Sequence, residues 1–186
     1  RALPYLEFDG EVVISSDHFL TQESLPKSIL IIGGGVIGVE FASLLSDLGV
    51  KVTIVDVEDR LLKLEDKDAS RAIEKSFKEK GVTVHTSTRL EEGHLTKNES
   101  SMTAKINGKQ DEYDQVLVAI GRVPLTDDLG LTNTKIKTNN GYIETNEFYQ
   151  TAESHIYAIG DCIGKLQLAH VATKEGVIAV EKIAHQ

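Results

Sequence analysis

The stretch ILIIGGGVIGVEFASLLSDLGVKVTIVD, residues 29–56, decides how the rest of the chain is read. Residues 29–32 form an unbroken apolar run, the pattern of a strand buried on both faces. Three consecutive glycines follow, Gly33, Gly34 and Gly35, and Gly38 comes three places on. Beyond them Ile37, Phe41, Leu44, Leu45 and Leu48 recur at helical spacing, and Gly49 stands where a left-handed glycine closes a helix. KVTIVD, 51–56, reads as a second buried strand.

Strand, glycine turn, helix and strand make a βαβ unit. In that setting Gly33-x-Gly35-x-x-Gly38 is the pattern that cradles a dinucleotide diphosphate. Gly33 permits the tight turn. Gly35 carries no Cβ, so a diphosphate can approach the backbone. Gly38 lets the helix pack close to the strand. The first-turn amides, those of Val36 and Ile37 among them, would face the phosphates, and the helix dipole favours that charge. A glycine turn without a ligand is the plainer alternative, and the flanking strand and helix weigh against it. Glu40 is a buried-looking acid close behind the loop, and on its own it fits equally well as a dipole-favoured residue in the first turns of a helix.

Asp56 ends the second strand, 21 residues beyond Gly35. That is the distance at which an acid accepts hydrogen bonds from the adenosine ribose, and its charge repels a 2′-phosphate. NAD is therefore expected over NADP, although Arg60, four residues on, could soften the preference.

Working outward, EVVIS (11–15) reads as a short strand, with Ser16 or Asp17 as the N-cap of a helical turn after it. Residues 66–81 read as a second amphipathic helix closed by Gly81, and 82–87 as a third strand. Between 88 and 115 the alternation is short, and Asn107-Gly108 is a tight-turn signal, so an antiparallel meander is expected. YDQVLVAIG returns to a buried strand, GYIETN and HIYAIGD read as further short strands, and 169–185 as a closing helix. The expected class is α/β: a Rossmann-like doubly wound parallel sheet with an antiparallel β-meander, followed from about residue 121 by part of a second dinucleotide-binding domain.

Composition agrees with an ordinary soluble enzyme: 40% hydrophobic, 26% charged, net charge −9. The acidic balance argues against nucleic acid and anionic membranes as partners. One cysteine, Cys162, allows neither an internal disulfide nor a multi-cysteine metal site, and fits a reducing, cytoplasmic setting. No metal is expected. RALPYLEF at the start reads as mid-chain text, so a piece of a longer protein is expected.

Three motifs in order, IGGGVIGVEFASLLSDLGVKVTIVD, VLVAIGRVPLTDDLGL and IYAIGDC with LQLAH, resemble the flavin-dependent pyridine nucleotide-disulfide oxidoreductases, and within them the dihydrolipoamide dehydrogenases. The resemblance spans essentially the whole chain. It implies an NAD domain inserted in a split FAD domain: residues 1–20 as a connecting segment from the FAD domain, 21–120 as the NAD domain, and 121–186 as the carboxyl-terminal part of the FAD domain. It implies that Asp161, at the end of a short strand, accepts from the flavin's ribityl hydroxyls, and that Gln167, Leu168, Ala169 and His170 open a helix against the flavin. Gly121 would line the dinucleotide path. Leu90 falls at an apolar adenine-side contact, and a core role fits it equally. Glu40 would lie near the nicotinamide and pair with a lysine carried by a segment outside this chain, and Val36 stands where some relatives have an aromatic gate.

The resemblance also implies parts this sequence does not contain: an earlier glycine fingerprint for the FAD diphosphate, a redox-active cysteine pair, and a carboxyl-terminal His–Glu base reached across a homodimer. No catalytic residue is therefore expected in this chain, and Cys162 reads as a small, partly buried residue. The intact enzyme would oxidise dihydrolipoamide through the disulfide and FAD to reduce NAD, within a 2-oxo acid dehydrogenase-type complex. The alternatives are a related flavin disulfide reductase or NADH oxidase, or a non-catalytic nucleotide-binding module.

Overall fold

The computed structural model describes residues 1–185, which divide into two compact units at Gly121–Arg122. In the first, strand β2 (Ser28–Ile32) sets the layering, because its side chains alternate between two cores. Ile29 and Ile31 face one core with Val39, Ala42 and Leu45 of helix α2 (Val36–Asp47) and Phe77 of helix α3 (Lys67–Glu79). Leu30 and Ile32 face the other, against Met102, Ala104 and Ile106 of β6 (Met102–Ile106) and Tyr113 of β7 (Lys109–Tyr113). Helices cover one face of the sheet and an antiparallel sheet covers the other.

The central sheet is parallel throughout, in the order β1 (Val13–Ile14), β8 (Gln115–Val118), β2, β3 (Lys51–Val55), β4 (Thr83–His85). The chain leaves β2 toward β3 and returns through β8 on the opposite side. The carboxyl end of β2 is thus the point where strand order reverses, the place where open sheets form a ligand crevice. The second sheet is the meander β5 (Leu95–Lys97), β6, β7, and its β6–β7 turn is Asn107-Gly108, both residues at positive φ (50° and 83°). This is the twist a two-residue hairpin needs, as the sequence led one to expect.

Two local expectations shift. Helix α1 (Ser16–Leu20) is capped by Ser15, one residue before Ser16 and two before Asp17. Ser15 has the extended backbone of an N-cap and accepts from the His18 amide, while His18 Nδ1 accepts from the Ser15 amide at 3.2 Å. On α2 the inward positions are Gly38, Val39, Ala42 and Leu45, while Leu44 and Leu48 are half exposed. Small residues at 38 and 42 let the helix lie close to the sheet, which turns the larger leucines outward. Gly49 does close α2, at φ 82°.

The second unit has a smaller core of Ile143, Ala158 and Ile163 with Leu131, Ile136 and Tyr149. A hairpin of β9 (Thr138–Asn139) and β10 (Tyr142–Ile143) and helix α4 (Ala169–Ala184) frame it. HIYAIGD is not a strand. Tyr157 makes one bridge to Gln150, and residues 160–163 wind into a 3-10 turn. The backbone there bonds to its own preceding loop, Ala158 to Tyr149 O (3.0 Å) and Thr151 to Ile156 O (2.9 Å), rather than extending a ladder.

Candidate functional site

The glycine loop is built by contacts that leave little freedom. Gly33 sits at φ 114°, and a Cβ there would lie 2.4 Å from the Ala119 carbonyl oxygen at the end of β8. Gly38 is tighter still: a Cβ would come within 1.9 Å of the Gly33 carbonyl oxygen. Gly35 is the contrast. It is the N-cap of α2, exposed, and a Cβ there would meet nothing within 4 Å. No side chain caps this helix start, so its first-turn amides stay available to an anion. Val36 is half exposed, Ile37 partly buried, and Glu40 exposed rather than buried.

Asp56 lies directly beside the loop. Its Oδ2 accepts the Gly34 amide and its Oδ1 accepts the Glu58 amide at 2.7 Å. Arg60 points elsewhere. Its guanidinium donates to Ser70 Oγ (2.7 Å), the Lys63 carbonyl (2.8 Å) and the Glu65 carbonyl (3.0 Å). All three acceptors lie in residues 63–70, so the geometry gives no support to the expected softening by Arg60.

A cleft of about 360 Å³ opens at the carboxyl ends of β2 and β3. Ile32, Gly33, Val55 and Asp56 form its floor and Ile120 one side; Val57 and residues 88–91 form the outer wall. Leu90 is buried in the meander-side core, the core role expected of it, and it also lines this wall. Sequence reasoning did not find Leu3, Pro4 and Tyr5, which close the remaining side. Tyr5 donates its hydroxyl to the Leu90 carbonyl. Burial raises its phenol above the ordinary value, with the Arg89 charge opposing and Glu91 reinforcing, so it remains a donor. Nothing local in the sequence signals a residue 85 positions away in this wall.

Asp161 stands in the 3-10 turn of the second unit, exposed, with Arg122 Nη1 at 2.7 Å from its Oδ2. Arg122 also donates to Gln167 Oε1 at 3.3 Å. Leu168 is the N-cap of α4, and Ala169 and His170 begin it, all three exposed. Gly121 ends the first unit at φ 108°. The structure thus gathers Gly33, Asp56 and Leu90 at one cleft, with Gly34 bonded to Asp56 and residues 35–38 and Glu40 outside the lining, and Asp161 with Gln167 through Arg122 in the second unit. Two residues were missed there. Arg122 lies inside a quoted motif without being singled out, and Glu175, buried in α4, accepts the Gly160 amide at 2.7 Å. Among the described residues no cluster of His, Cys, Asp or Glu could hold a metal, and no helix is long and apolar enough to cross a membrane.

A parallel sheet with an open glycine turn and an acid at the crevice is the architecture of the dinucleotide-binding α/β folds. Residues 4–176 match the pyridine nucleotide-disulphide oxidoreductase family, and the chain belongs to it. A dihydrolipoyl dehydrogenase of Bacillus subtilis (strain 168) is 50% identical over 99% of this chain, which covers 40% of that relative. Among solved structures, LpdA from Mycobacterium tuberculosis superposes with a TM-score of 0.90 at 34% identity, covering all of this chain and 40% of that one. The flavoprotein disulfide reductase RclA from Escherichia coli superposes with a TM-score of 0.88 at 28% identity, covering 98% of this chain and 42% of RclA. The chain therefore spans about two fifths of the length of these relatives. Enzymes of this family are oxidoreductases that work with FAD and a pyridine nucleotide.

Proposed function

We propose that this chain is the NAD-binding portion of a dihydrolipoyl dehydrogenase together with the later part of its FAD-binding domain. The observation that carries the reading is the cleft in which the glycine loop, Asp56 and Leu90 meet at the switch point of a parallel sheet. The residues fit a dinucleotide. There is open space over Gly35 for a diphosphate, an uncapped helix start beside it, and an acid whose carboxylate bonds the loop.

In this reading residues 21–120 are the NAD domain, 1–20 the connecting segment and 121–186 the flavin-side portion. The amides of Val36 and Ile37 hold the diphosphate, Asp56 accepts from the adenosine ribose, and Leu90 takes the apolar face of the adenine. Gly121 borders the path toward the nicotinamide. Glu40, exposed on α2, is free to meet a lysine of the rest of the protein. Asp161 and residues Gln167, Leu168, Ala169 and His170 supply the flavin-side contacts. When bound, the flavin relays the electron pair between the substrate dithiol and the nicotinamide. The whole reaction converts dihydrolipoamide and NAD⁺ to lipoamide, NADH and a proton. This chain's residues bind and orient, and none of them carries the thiol chemistry. The parent would be a cytoplasmic homodimer serving a 2-oxo acid dehydrogenase-type complex.

Calorimetric titration of the chain with NADH and NADPH tests the binding half. NADH should bind and NADPH more weakly, and the absence of NADH binding refutes the reading. The likeness to RclA favours one second reading, a flavin disulfide reductase with another substrate. Turnover of dihydrolipoamide by the full-length protein decides between the two.

A further inference from the structure

We propose that Asp56 is also a positioning residue: it holds the glycine loop in its binding conformation through Gly34, independently of any contact with ribose. The inference rests on the dinucleotide reading of this cleft and concerns how the cleft is kept in shape.

Asp56 joins three segments. Its amide donates to the His85 carbonyl at 2.9 Å, and its carbonyl accepts from the Thr88 amide at 2.8 Å, tying the end of β3 to the segment after β4. Its carboxylate accepts the Gly34 and Glu58 amides, one on each oxygen. Gly34 is gripped from the other side as well, its carbonyl accepting the Leu62 amide at 2.8 Å. The fully buried Leu61 leaves no room there, since a Cβ on Gly34 would lie 2.5 Å from Leu61 Cδ2. The Gly34 peptide is therefore fixed at both ends, one residue before the N-cap of α2. An acid that served only the ribose would need no amide partner.

A carboxylate oxygen has more than one acceptor direction, so a ribose hydroxyl can join without displacing either amide. Loop and acid then form one preorganised unit, and binding does not have to order the loop.

The test uses the chain with Asp56→Asn and Asp56→Ala, and two probes. NADH offers the ribose hydroxyls, whereas 2′,3′-dideoxyadenosine diphosphate keeps the diphosphate and lacks them. Amide hydrogen exchange of the ligand-free protein reads the loop directly. Asp56→Ala should weaken the dideoxy probe on the order of tenfold and speed exchange at Gly34, while the Leu30 and Ile31 amides of β2 keep their protection. Asp56→Asn keeps one acceptor oxygen, should fall between, and serves alone if the alanine variant does not fold. Unchanged dideoxy affinity with Gly34 still protected overturns the proposal and leaves Asp56 a ribose ligand only. Failure of NADH to bind the wild-type chain refutes the dinucleotide reading instead, and the exchange measurement still decides the positioning role.

Discussion

Glu175 is buried in α4 and accepts the amide of Gly160 at 2.7 Å, across 15 residues of chain. Gly160 precedes Asp161, so this one bond ties the turn that presents the acid to the helix whose first turn lies beside it. Replacing Glu175 with alanine leaves a buried amide without a partner, a loss of about 1–3 kcal/mol. Glutamine keeps a carbonyl oxygen at the same reach and should cost less. Denaturant unfolding of the two variants, with exchange at the Gly160 amide, gives the answer. Equal stability of Glu175→Ala and wild type would contradict this account.

Gly38 and Gly35 belong to one pattern and should fail in opposite ways. Gly38→Ala drives a methyl to 1.9 Å from a backbone oxygen, so the helix must move, at roughly 2–3 kcal/mol or more. Gly35→Ala meets nothing in the free protein and has an ordinary φ of −75°, so its cost should stay under about 1 kcal/mol. Its methyl stands where the diphosphate would lie, so NADH affinity should drop on the order of tenfold or more. Thermal unfolding and NADH titration of both variants separate the packing glycine from the ligand glycine. Gly35→Ala binding NADH as wild type does would place the diphosphate elsewhere.

These contrasts mark what the sequence could and could not tell. Residues 29–32, the glycine spacing and Asn107-Gly108 were legible because each depends on neighbours a few positions away. Helical spacing alone does not say which of Leu44, Leu45 and Leu48 turn inward; only Leu45 does, because helix-to-sheet distance depends on Gly38 and Ala42 meeting a strand. Tyr5 in the cleft wall and Glu175 beneath Gly160 act through long-range contacts and carry no local pattern. The segment 155–161 is apolar enough for a strand, yet strand character also needs a partner edge, and its backbone bonds to its own loop instead.

Asp9 should make the first unit acid-sensitive. Burial alone would raise its carboxyl, but the Lys97 ammonium and the amides of Glu11, Val13 and Val12 outweigh it and bring it from 3.8 to about 2. A folded-state value below the unfolded one adds stability above the unfolded value and loses it as pH falls through the folded one. The contribution, about 1 kcal/mol once screening at this exposed site is allowed for, should be full above about pH 5 and mostly lost as pH falls through about 2. Asp9→Asn should be less stable than wild type at pH 6, and the gap should close on acidification. A gap that stays constant between those values would show that the carboxylate charge at position 9 is not what stabilises the fold.

Nucleotide choice should depend on Asp56 and not on Arg60. A guanidinium can read a 2′-phosphate only if its fork is free to swing toward it. Here three acceptors hold it, and one of them, Ser70 Oγ, is itself buried and bonded to the Leu61 carbonyl at 2.7 Å. Freeing the arginine means breaking bonds worth about 1 kcal/mol or more each, which one phosphate contact at an exposed rim does not repay. Arg60→Ala should therefore loosen the 58–66 loop while leaving the NADH-to-NADPH affinity ratio within about threefold of wild type. Asp56→Ser removes the repelling charge and should narrow that ratio on the order of tenfold. Paired calorimetric titrations of both variants distinguish the two residues. A ratio that collapses in Arg60→Ala would mean the arginine leaves its carbonyls when the nucleotide arrives.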